Sequence, residues 1–417
     1  MSLLWFATAA GAGMVFLAQT LLARGFGPSD YGLFASSLAT VTMVAPLAGF
    51  GLSQFRLRAY GAEGWAADRW LRPSLRFTAA TTLLAIGLVV AWALLGEAVN
   101  QETQRVLLLL TPVILGLLAA DLVGSKLRLE ERYGALAGWQ LWIPAGRLLV
   151  ACLALLIPSV TVESVALGYC LVALIAVALA APQLRAMLRG EMRLRGHGAR
   201  EAQAPLPSPS ALTLGSQAWT YGLAAALYPV FYQISTVLLK YLNDDAQAGR
   251  YGIALAVMTA IYLLPSTVYQ KFLLSKLHRW AVHDKPKFWR VYRQGNIAML
   301  LGGLAIGAVL AASAPILVPI AFGKQYLGVE SVLMVLALCV PIRFLSTAVG
   351  SALLTEGHMR YRVRAMAAAT VVAVLLNALL IPPFGEMGAA TATVVAEALL
   401  LLAMYLGVRR IERPGGE

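Results

Sequence analysis

Residues 24–32 read Arg24-Gly25-Phe26-Gly27-Pro28-Ser29-Asp30-Tyr31-Gly32, a polar turn between two long apolar runs. Adjacent glycine and proline favour a tight turn, because glycine tolerates positive φ and proline pre-sets its own φ. The same pattern recurs about 220 residues later. We therefore predict one membrane hairpin unit that is used twice, at the front of each half of the chain. The matching positions are Tyr31-Gly32 with Tyr251-Gly252, Pro46 with Pro265 to within one residue, and Arg56 with Lys276.

The composition indicates a membrane protein. Of the 417 residues, 59% are hydrophobic and only 13% are charged, whereas soluble domains carry about 25% charged residues. Only helices and closed barrels satisfy their backbone in lipid, and a helix needs ~20 apolar residues to cross. The apolar runs are continuous rather than alternating, which favours helices over a barrel. The sequence predicts an all-α polytopic membrane protein with about 12 transmembrane helices. The predicted spans are 3–23, 31–55, 77–95, 106–123, 135–157, 165–181, 212–239, 251–274, 295–320, 332–353, 365–381 and 387–408.

The lysines and arginines are distributed unevenly between alternate loops. Most lie on one side of the predicted spans, which places that side and both termini in the cytoplasm. The basic cytoplasmic loops account for the net charge of +13. We therefore predict no nucleic-acid partner. The few loop cations on the opposite side are Arg24, Arg105, Lys240, Arg250 and Lys324.

The longest polar stretch, residues 183–210, is basic and then turns into a Pro/Ser-rich segment. Such a composition gives a semi-extended linker. It predicts a six-helix lobe at 1–183, a cytoplasmic linker at 184–210 and a second six-helix lobe at 211–417. Six is even, so both lobes enter the membrane in the same sense and form a parallel repeat.

Three stretches carry a resemblance to a known family. Residues 24–32, residues 322–326 (Phe-Gly-Lys-Gln-Tyr) and residues 377–392, which include Pro382-Pro383 and Gly385, occur in the right order and register. They resemble the polysaccharide transporter, or O-antigen flippase-like, branch of the multidrug/oligosaccharidyl-lipid/polysaccharide exporter superfamily.

The resemblance implies two pseudo-symmetric lobes around a central cavity that opens alternately to each side of a bacterial inner membrane. It implies a flippase for oligosaccharide carried on undecaprenyl pyrophosphate, used in lipopolysaccharide or exopolysaccharide biosynthesis. Its partners would be this lipid-linked substrate, membrane lipids, a polysaccharide polymerase and glycosyltransferases.

Two arginines and two acids lie inside predicted spans, where charge usually faces a cavity or a partner. Arg147 shares a helical face with Gln140 and is the main candidate for binding an anionic cargo; a salt bridge within its lobe is the alternative. Arg343 is a second cavity candidate that could instead snorkel to the cytoplasm. Asp121 and Glu397 are candidates for ion coupling, with structural pairing as the alternative for both.

Polar and aromatic side chains form stripes along spans seven and eight. Tyrosine offers a flat face for a sugar ring and a hydroxyl for its hydrogen bonds, so we expect cavity lining; interhelical packing and interfacial tyrosine belts are the alternatives. At the inner mouths of the lobes, Arg56 and Lys276 are candidates for binding phosphate, with ordinary positive-inside anchoring as the alternative. The cavity candidates of these stripes and of span one are Gln19, Gln217, Tyr221, Tyr228, Tyr232, Tyr262 and Tyr269.

No cofactor, metal site or enzymatic activity is predicted. The four histidines, at 197, 278, 283 and 358, lack metal-ligand spacing, and the chain has no phosphate-binding loop of the ATPase type. A cation-coupled multidrug antiporter of the same superfamily is the first alternative function. A glycan polymerase or ligase is the second, and the short outer loops argue against it.

The charge asymmetry makes a topology prediction. Reporter tags placed after Glu417 and within residues 196–209 should both report the cytoplasm, because the basic loops remain on that side. Fusions to alkaline phosphatase and green fluorescent protein measure this. A periplasmic signal from either tag would contradict both the orientation and the two-lobe division.

Overall fold

A computed structural model describes residues 2–157, 160–194, 207–266, 280, 284–353 and 359–412. Within these ranges the chain is almost wholly α-helical and has no β-strand. Short 3-10 turns occupy Gly64–Trp70 and Lys324–Tyr326. The helices are α1 Ser2–Gly49, α2 Leu52–Glu63, α3 Leu71–Leu95, α4 Gln101–Leu110, α5 Val113–Leu129, α6 Tyr133–Leu156, α7 Val162–Leu188, α8 Ala211–Leu242, α9 Asp245–Ser266, α10 Lys285–Phe322, α11 Val329–Ala337, α12 Cys339–Ala352 and α13 Met359–Glu412.

Nine helical stretches of the described residues are long and apolar enough to cross a membrane. The first, Leu3–Leu95, covers the first three predicted spans, and the last, Met359–Arg410, covers the final two. The twelve predicted spans are therefore all accommodated. The part of span eight beyond Ser266 lies outside the described residues.

Glycine and proline set the helix breaks. Gly27, with φ of 79°, interrupts α1, and Gly385, with φ of 57°, interrupts α13. The predicted second span ends earlier than expected, because Phe50 and Gly51 both adopt positive φ. The predicted fourth span consists of two helices, since Pro112 follows Thr111 at the junction of α4 and α5 and has no N–H to continue the ladder.

Polar side chains cap several helix starts, where the first backbone N–H groups lack partners. The Asn100 side chain accepts a hydrogen bond from the Thr103 N–H at 2.8 Å, at the start of α4. Thr161 caps α7 and Asp284 caps α10 in the same way. These caps fix where the spans after loops begin.

The chain forms two compact units, and each takes in a short piece from the other end of the sequence. Unit 1 comprises Met1–Leu22 and Ser37–Gln233, and unit 2 comprises Ala23–Ser36 and Ile234–Glu417. The first-loop segment 23–36 thus packs with the second half of the chain, and residues 211–233 pack with the first half. The division into contiguous lobes at 183 and 211 stays a prediction.

Helices α6 and α7 of unit 1 pack closely through two reciprocal glycines. A methyl group added at Gly168 would lie 2.6 Å from Val150 Cγ1, and one added at Gly146 would lie 2.7 Å from Val172 Cγ1. Small residues let membrane helices approach in this manner. The contact fixes the rotation of α6 beside α7 at the level of Arg147.

This packing predicts a position-specific cost. Gly168→Val should destabilise the protein by about 1–3 kcal/mol, because the new side chain overlaps Val150. Gly138→Val is the matched control on α6, since nothing lies within 4 Å of a methyl group added there. Thermal unfolding of the purified protein in detergent measures both. Equal melting temperatures for the two variants would contradict the close packing.

Candidate substrate site

Arg147 lies in the second half of α6, and α7 supplies its nearest aromatic neighbour. The guanidinium carbon sits 5.1 Å from the ring centroid of Tyr169, a buried residue. Such a cation–π contact stabilises the charge but does not neutralise it. No carboxylate among the described residues forms an ion pair with Arg147. The alternative of a salt bridge within the lobe therefore finds no partner in the described part of the chain.

Two glutamine side chains of unit 1 also lack an internal hydrogen-bond partner among the described residues. Gln140 on α6 and Gln19 on α1 are both half-buried. The two helices are in contact, because a methyl group at Gly11 would lie 3.5 Å from Pro144. A half-buried amide without a partner is costly unless water or a ligand satisfies it. Gln19 lies two turns after Gly11 on α1, and Gln140 lies one turn before Pro144 on α6.

The predicted stripe on α8 divides into two parts. Tyr228 is 45% exposed, and its ring lies parallel to that of Tyr232, with centroids 6.1 Å apart. This pair forms a flat aromatic surface. Tyr221 differs, because its hydroxyl accepts a hydrogen bond from Arg58 at 2.8 Å. Gln217 is exposed one turn before it.

The helix break at Phe50–Gly51 explains why Tyr221 is packed against another helix. A methyl group at Gly51 would lie 2.4 Å from the Tyr221 carbonyl carbon, and one at Gly222 would lie 2.4 Å from the Phe50 ring. The start of α8 is thus packed onto the end of α1 within unit 1. Tyr221 is a packing residue here, whereas Tyr228, two turns later on α8, is 45% exposed.

Unit 2 contains the second arginine candidate, Arg343 on α12, which forms an ion pair. Its Nη1 donates to the Glu397 Oε1 at 3.0 Å and to Oε2 at 3.3 Å, and Glu397 is 1% exposed. The guanidinium carbon also lies 5.4 Å from the ring centroid of Tyr262, which is buried. The charges of Arg343 and Glu397 therefore compensate each other inside the helix packing. Tyr269 lies outside the described residues.

The remaining charged candidates lie in different environments. Arg56 is buried and donates long hydrogen bonds to Ser53 at 3.3 Å and Ser125 at 3.5 Å, so it does not line an open mouth as expected. Asp121 is exposed. Lys126, five positions after Asp121, pairs with Glu130 at 3.1 Å. Lys276 lies outside the described residues.

Several polar contacts in the structure were not predicted from the sequence. Within unit 2, Thr393 is hydrogen-bonded to Ser235 at 3.2 Å and to the Tyr251 hydroxyl at 2.8 Å. Three of the five cations assigned to the outer side are also compensated: Arg105 pairs with Glu163, Lys240 with Asp245 and Arg250 with Glu386. Only the Lys240–Asp245 pair, five residues apart at a helix start, carries a local sequence signal. No group of three metal-binding side chains occurs among the described residues, and all four histidines lie outside them.

The chain is similar in sequence to a curated protein and similar in fold to solved structures. No family model matches it. A curated relative is 26% identical over 423 residues, which cover 97% of this chain and 82% of the relative. That relative is the probable low-salt glycan biosynthesis flippase Agl15 of Haloferax volcanii.

Two solved structures superpose over nearly the whole chain. The lipid II flippase MurJ in an inward closed conformation has a TM-score of 0.71 at 15% identity, and the match covers 98% of this chain and 88% of MurJ. An inward-facing multidrug resistance MATE family transporter of the MOP superfamily also has a TM-score of 0.71, at 14% identity, covering 96% and 94%. These superpositions confirm the predicted all-helical, polytopic membrane fold.

The Arg343–Glu397 pair predicts a large effect of removing one charge. Glu397→Gln should lower the free energy of unfolding by about 3–5 kcal/mol, because Arg343 is then left buried without its counter-ion. Replacing both residues by methionine should recover most of that loss. The control is Glu163→Gln at the exposed Arg105 pair, where about 0–1 kcal/mol is expected. Denaturant unfolding in detergent measures all three. A Glu397→Gln effect no larger than the control would contradict the pairing.

Proposed function

We propose that this protein is a flippase that moves an oligosaccharide linked to a lipid pyrophosphate across the membrane by alternating access. In a bacterial inner membrane the carrier would be undecaprenyl pyrophosphate, and the cargo would enter surface polysaccharide biosynthesis. The proposal includes no catalytic step. Polysaccharide polymerase and glycosyltransferases are its proposed partners, and both termini are proposed to be cytoplasmic.

The charge of Arg147 is the observation that carries the proposal. An arginine stays ionised at any accessible pH, and in an apolar span its charge has to face water or an anion. The described residues offer Arg147 an aromatic ring and no carboxylate. A pyrophosphate or an acidic sugar supplies the missing negative charge, and planar guanidinium groups match such oxyanions well.

Other groups of unit 1 suit the rest of such a cargo. The parallel rings of Tyr228 and Tyr232 offer an apolar face to a sugar ring. The amides of Gln19 and Gln140 offer donors and acceptors to hydroxyl groups. The relative from Haloferax volcanii is itself described as a glycan biosynthesis flippase.

A multidrug antiporter is the second candidate, favoured by the match to a MATE family transporter. An exporter of cations needs an acid that is free to attract the cargo. Glu397 is already neutralised by Arg343, and Asp121 is the exposed acid that an antiporter would have to use. The charge of Arg147, which faces an aromatic ring and no carboxylate among the described residues, therefore favours the anionic cargo.

Transport by reconstituted protein tests the proposal. Arg147→Ala should slow the flipping of a pyrophosphate-linked oligosaccharide roughly tenfold to a hundredfold, the worth of one hydrogen bond to a charged group. Arg147→Lys should keep partial activity, because it retains the charge but loses the planar fork. A neutral glycolipid should be handled equally by all variants.

The control variant is Arg105→Ala, which removes an exposed arginine that is paired with Glu163. Membrane abundance is measured beside transport, so that loss of folding is separated from loss of binding. A complementation assay in a deletion strain, scoring surface glycan and accumulated lipid-linked intermediate, tests the cargo in the cell. A stable and fully active Arg147→Ala protein would overturn the proposal. Export of cationic drugs that depends on Asp121 would favour the antiporter.

A further inference from the structure

The three sequence stretches that carry the family resemblance come together inside unit 2. Each of them is a helix break, and each break needs donors or close packing from another stretch. The relevant contacts join the first-loop segment 23–36 to the Gln325–Tyr326 turn and to the start of α9, and they join α9 to the break in α13.

The first contact satisfies the carbonyl groups that the break in α1 exposes. The carbonyl of Arg24 would accept from residue 28 in a continuous helix, but Pro28 has no N–H. Instead Gln325 Nε2 donates to the Arg24 carbonyl at 3.1 Å and to the Ala23 carbonyl at 3.3 Å. The Tyr326 hydroxyl donates to the Ala23 carbonyl at 2.9 Å.

The surroundings of Tyr326 keep its hydroxyl protonated, so that it can donate a hydrogen bond. Its side chain is fully buried and packs edge-on against Phe322, with ring centroids 6.4 Å apart. Burial raises the pKa of the Tyr326 phenol above its ordinary value, so the hydroxyl keeps its proton. Gly323, with φ of 97°, turns the chain so that both side chains reach the first loop.

The second contact is a close approach of two backbones. A methyl group at Gly32 would lie 1.6 Å from the Asp245 carbonyl oxygen, and one at Gly249 would lie 2.1 Å from the Pro28 carbonyl oxygen. No side chain separates the first loop from the start of α9 at these points. The interaction is short-ranged, and it is lost as soon as the segments move apart.

The third contact links α9 to α13. The side-chain oxygen of Gln247 accepts from the Glu386 N–H at 3.0 Å, just after the break at Gly385. Arg250 Nε donates to the Glu386 carboxylate at 2.7 Å. The surface that receives the first loop is thereby held in place by a charged pair, whereas the contacts described above hold the first loop through neutral hydrogen bonds and close backbone packing.

We propose that Gln325 and Tyr326 are the releasable part of a latch that holds residues 23–36 in unit 2 in one state of the transport cycle. This first-loop latch consists of Ala23, Arg24, Gly32, Gly249, Gln325 and Tyr326. Its neutral side-chain-to-carbonyl bonds are weak enough to be exchanged for water when the segment withdraws. The proposal rests on alternating access, which is part of the proposed function, but not on the identity of the cargo.

Spin-label distances test the latch without any cargo. Labels at Asp30→Cys and Ile320→Cys, both exposed, report the distance from the first loop to the end of α10. The three native cysteines are first replaced by serine or alanine. In lipid nanodiscs the unmodified latch should give one dominant short distance. Tyr326→Phe should raise the ratio of long to short distances about fivefold, the effect of losing one neutral hydrogen bond. Gln325→Leu removes a donor that two carbonyl groups share and should raise the ratio at least as much.

A matched control is available in the same unit. The Tyr361 hydroxyl donates to the Ala403 carbonyl at 2.7 Å, so Tyr361→Phe deletes a similar bond away from the latch. It should leave the 30–320 distance unchanged. The same shift in Tyr361→Phe would show general loosening of unit 2 and would overturn the latch.

An unchanged distance in both latch variants would also overturn the proposal, since the contact would then be static. Gln325 is exposed, so Gln325→Leu keeps the core intact and remains informative if Tyr326→Phe fails to fold. Failure of the proposed cargo would appear in the transport assay of Arg147 variants and would leave these distances unaffected.

Discussion

A membrane helix that stops within an apolar chain leaves main-chain carbonyls that only another part of the protein can satisfy. This constraint accounts for much of the architecture. Pro28 leaves the Arg24 carbonyl without its helical donor, and Gln325, 301 residues away, supplies the replacement. At the break at Gly385 the group in need of a partner is the Glu386 N–H, and the Gln247 side-chain oxygen accepts its hydrogen bond. The residues at these turns therefore serve hydrogen bonding between distant breaks as well as turn geometry.

The arginines within the spans have different neighbours in the two compact units. In unit 2 the membrane-embedded arginine is neutralised by Glu397, and both are held beside the Tyr262 ring. In unit 1 the embedded arginine has only an aromatic neighbour among the described residues. A fixed positive charge of this kind favours an anionic ligand and disfavours a cationic one before any further contact is made. Under the proposed function, Arg147 in unit 1 would therefore contribute the selectivity for cargo charge.

The sequence predicted those features that depend on local composition. Helical spans, the turn at Gly27-Pro28 and the presence of charge at Arg147 all follow from runs and single residues. Pairings between distant residues do not, because nothing near Arg343 indicates that Glu397, 54 positions later, faces it. Structural pairing was an alternative for Glu397 on the sequence, but the sequence did not indicate which residue would be its partner. Tyr221 shows the same limit, since its place in a polar stripe gave no hint of Arg58 or of the break at Gly51.

The exchange of segments between the two halves has a consequence for the order of biogenesis. Arg24 enters the membrane long before Gln325 has been translated, and at ~5–20 residues per second the interval is roughly 15–60 s. During that time the Arg24 carbonyl lacks its donor from Gln325, and the first loop lacks its packing partner on α9. Membrane insertion and final folding of the first loop must therefore be separate events. The newly made amino-terminal half is a natural client for whatever protects incomplete membrane proteins until the second half arrives.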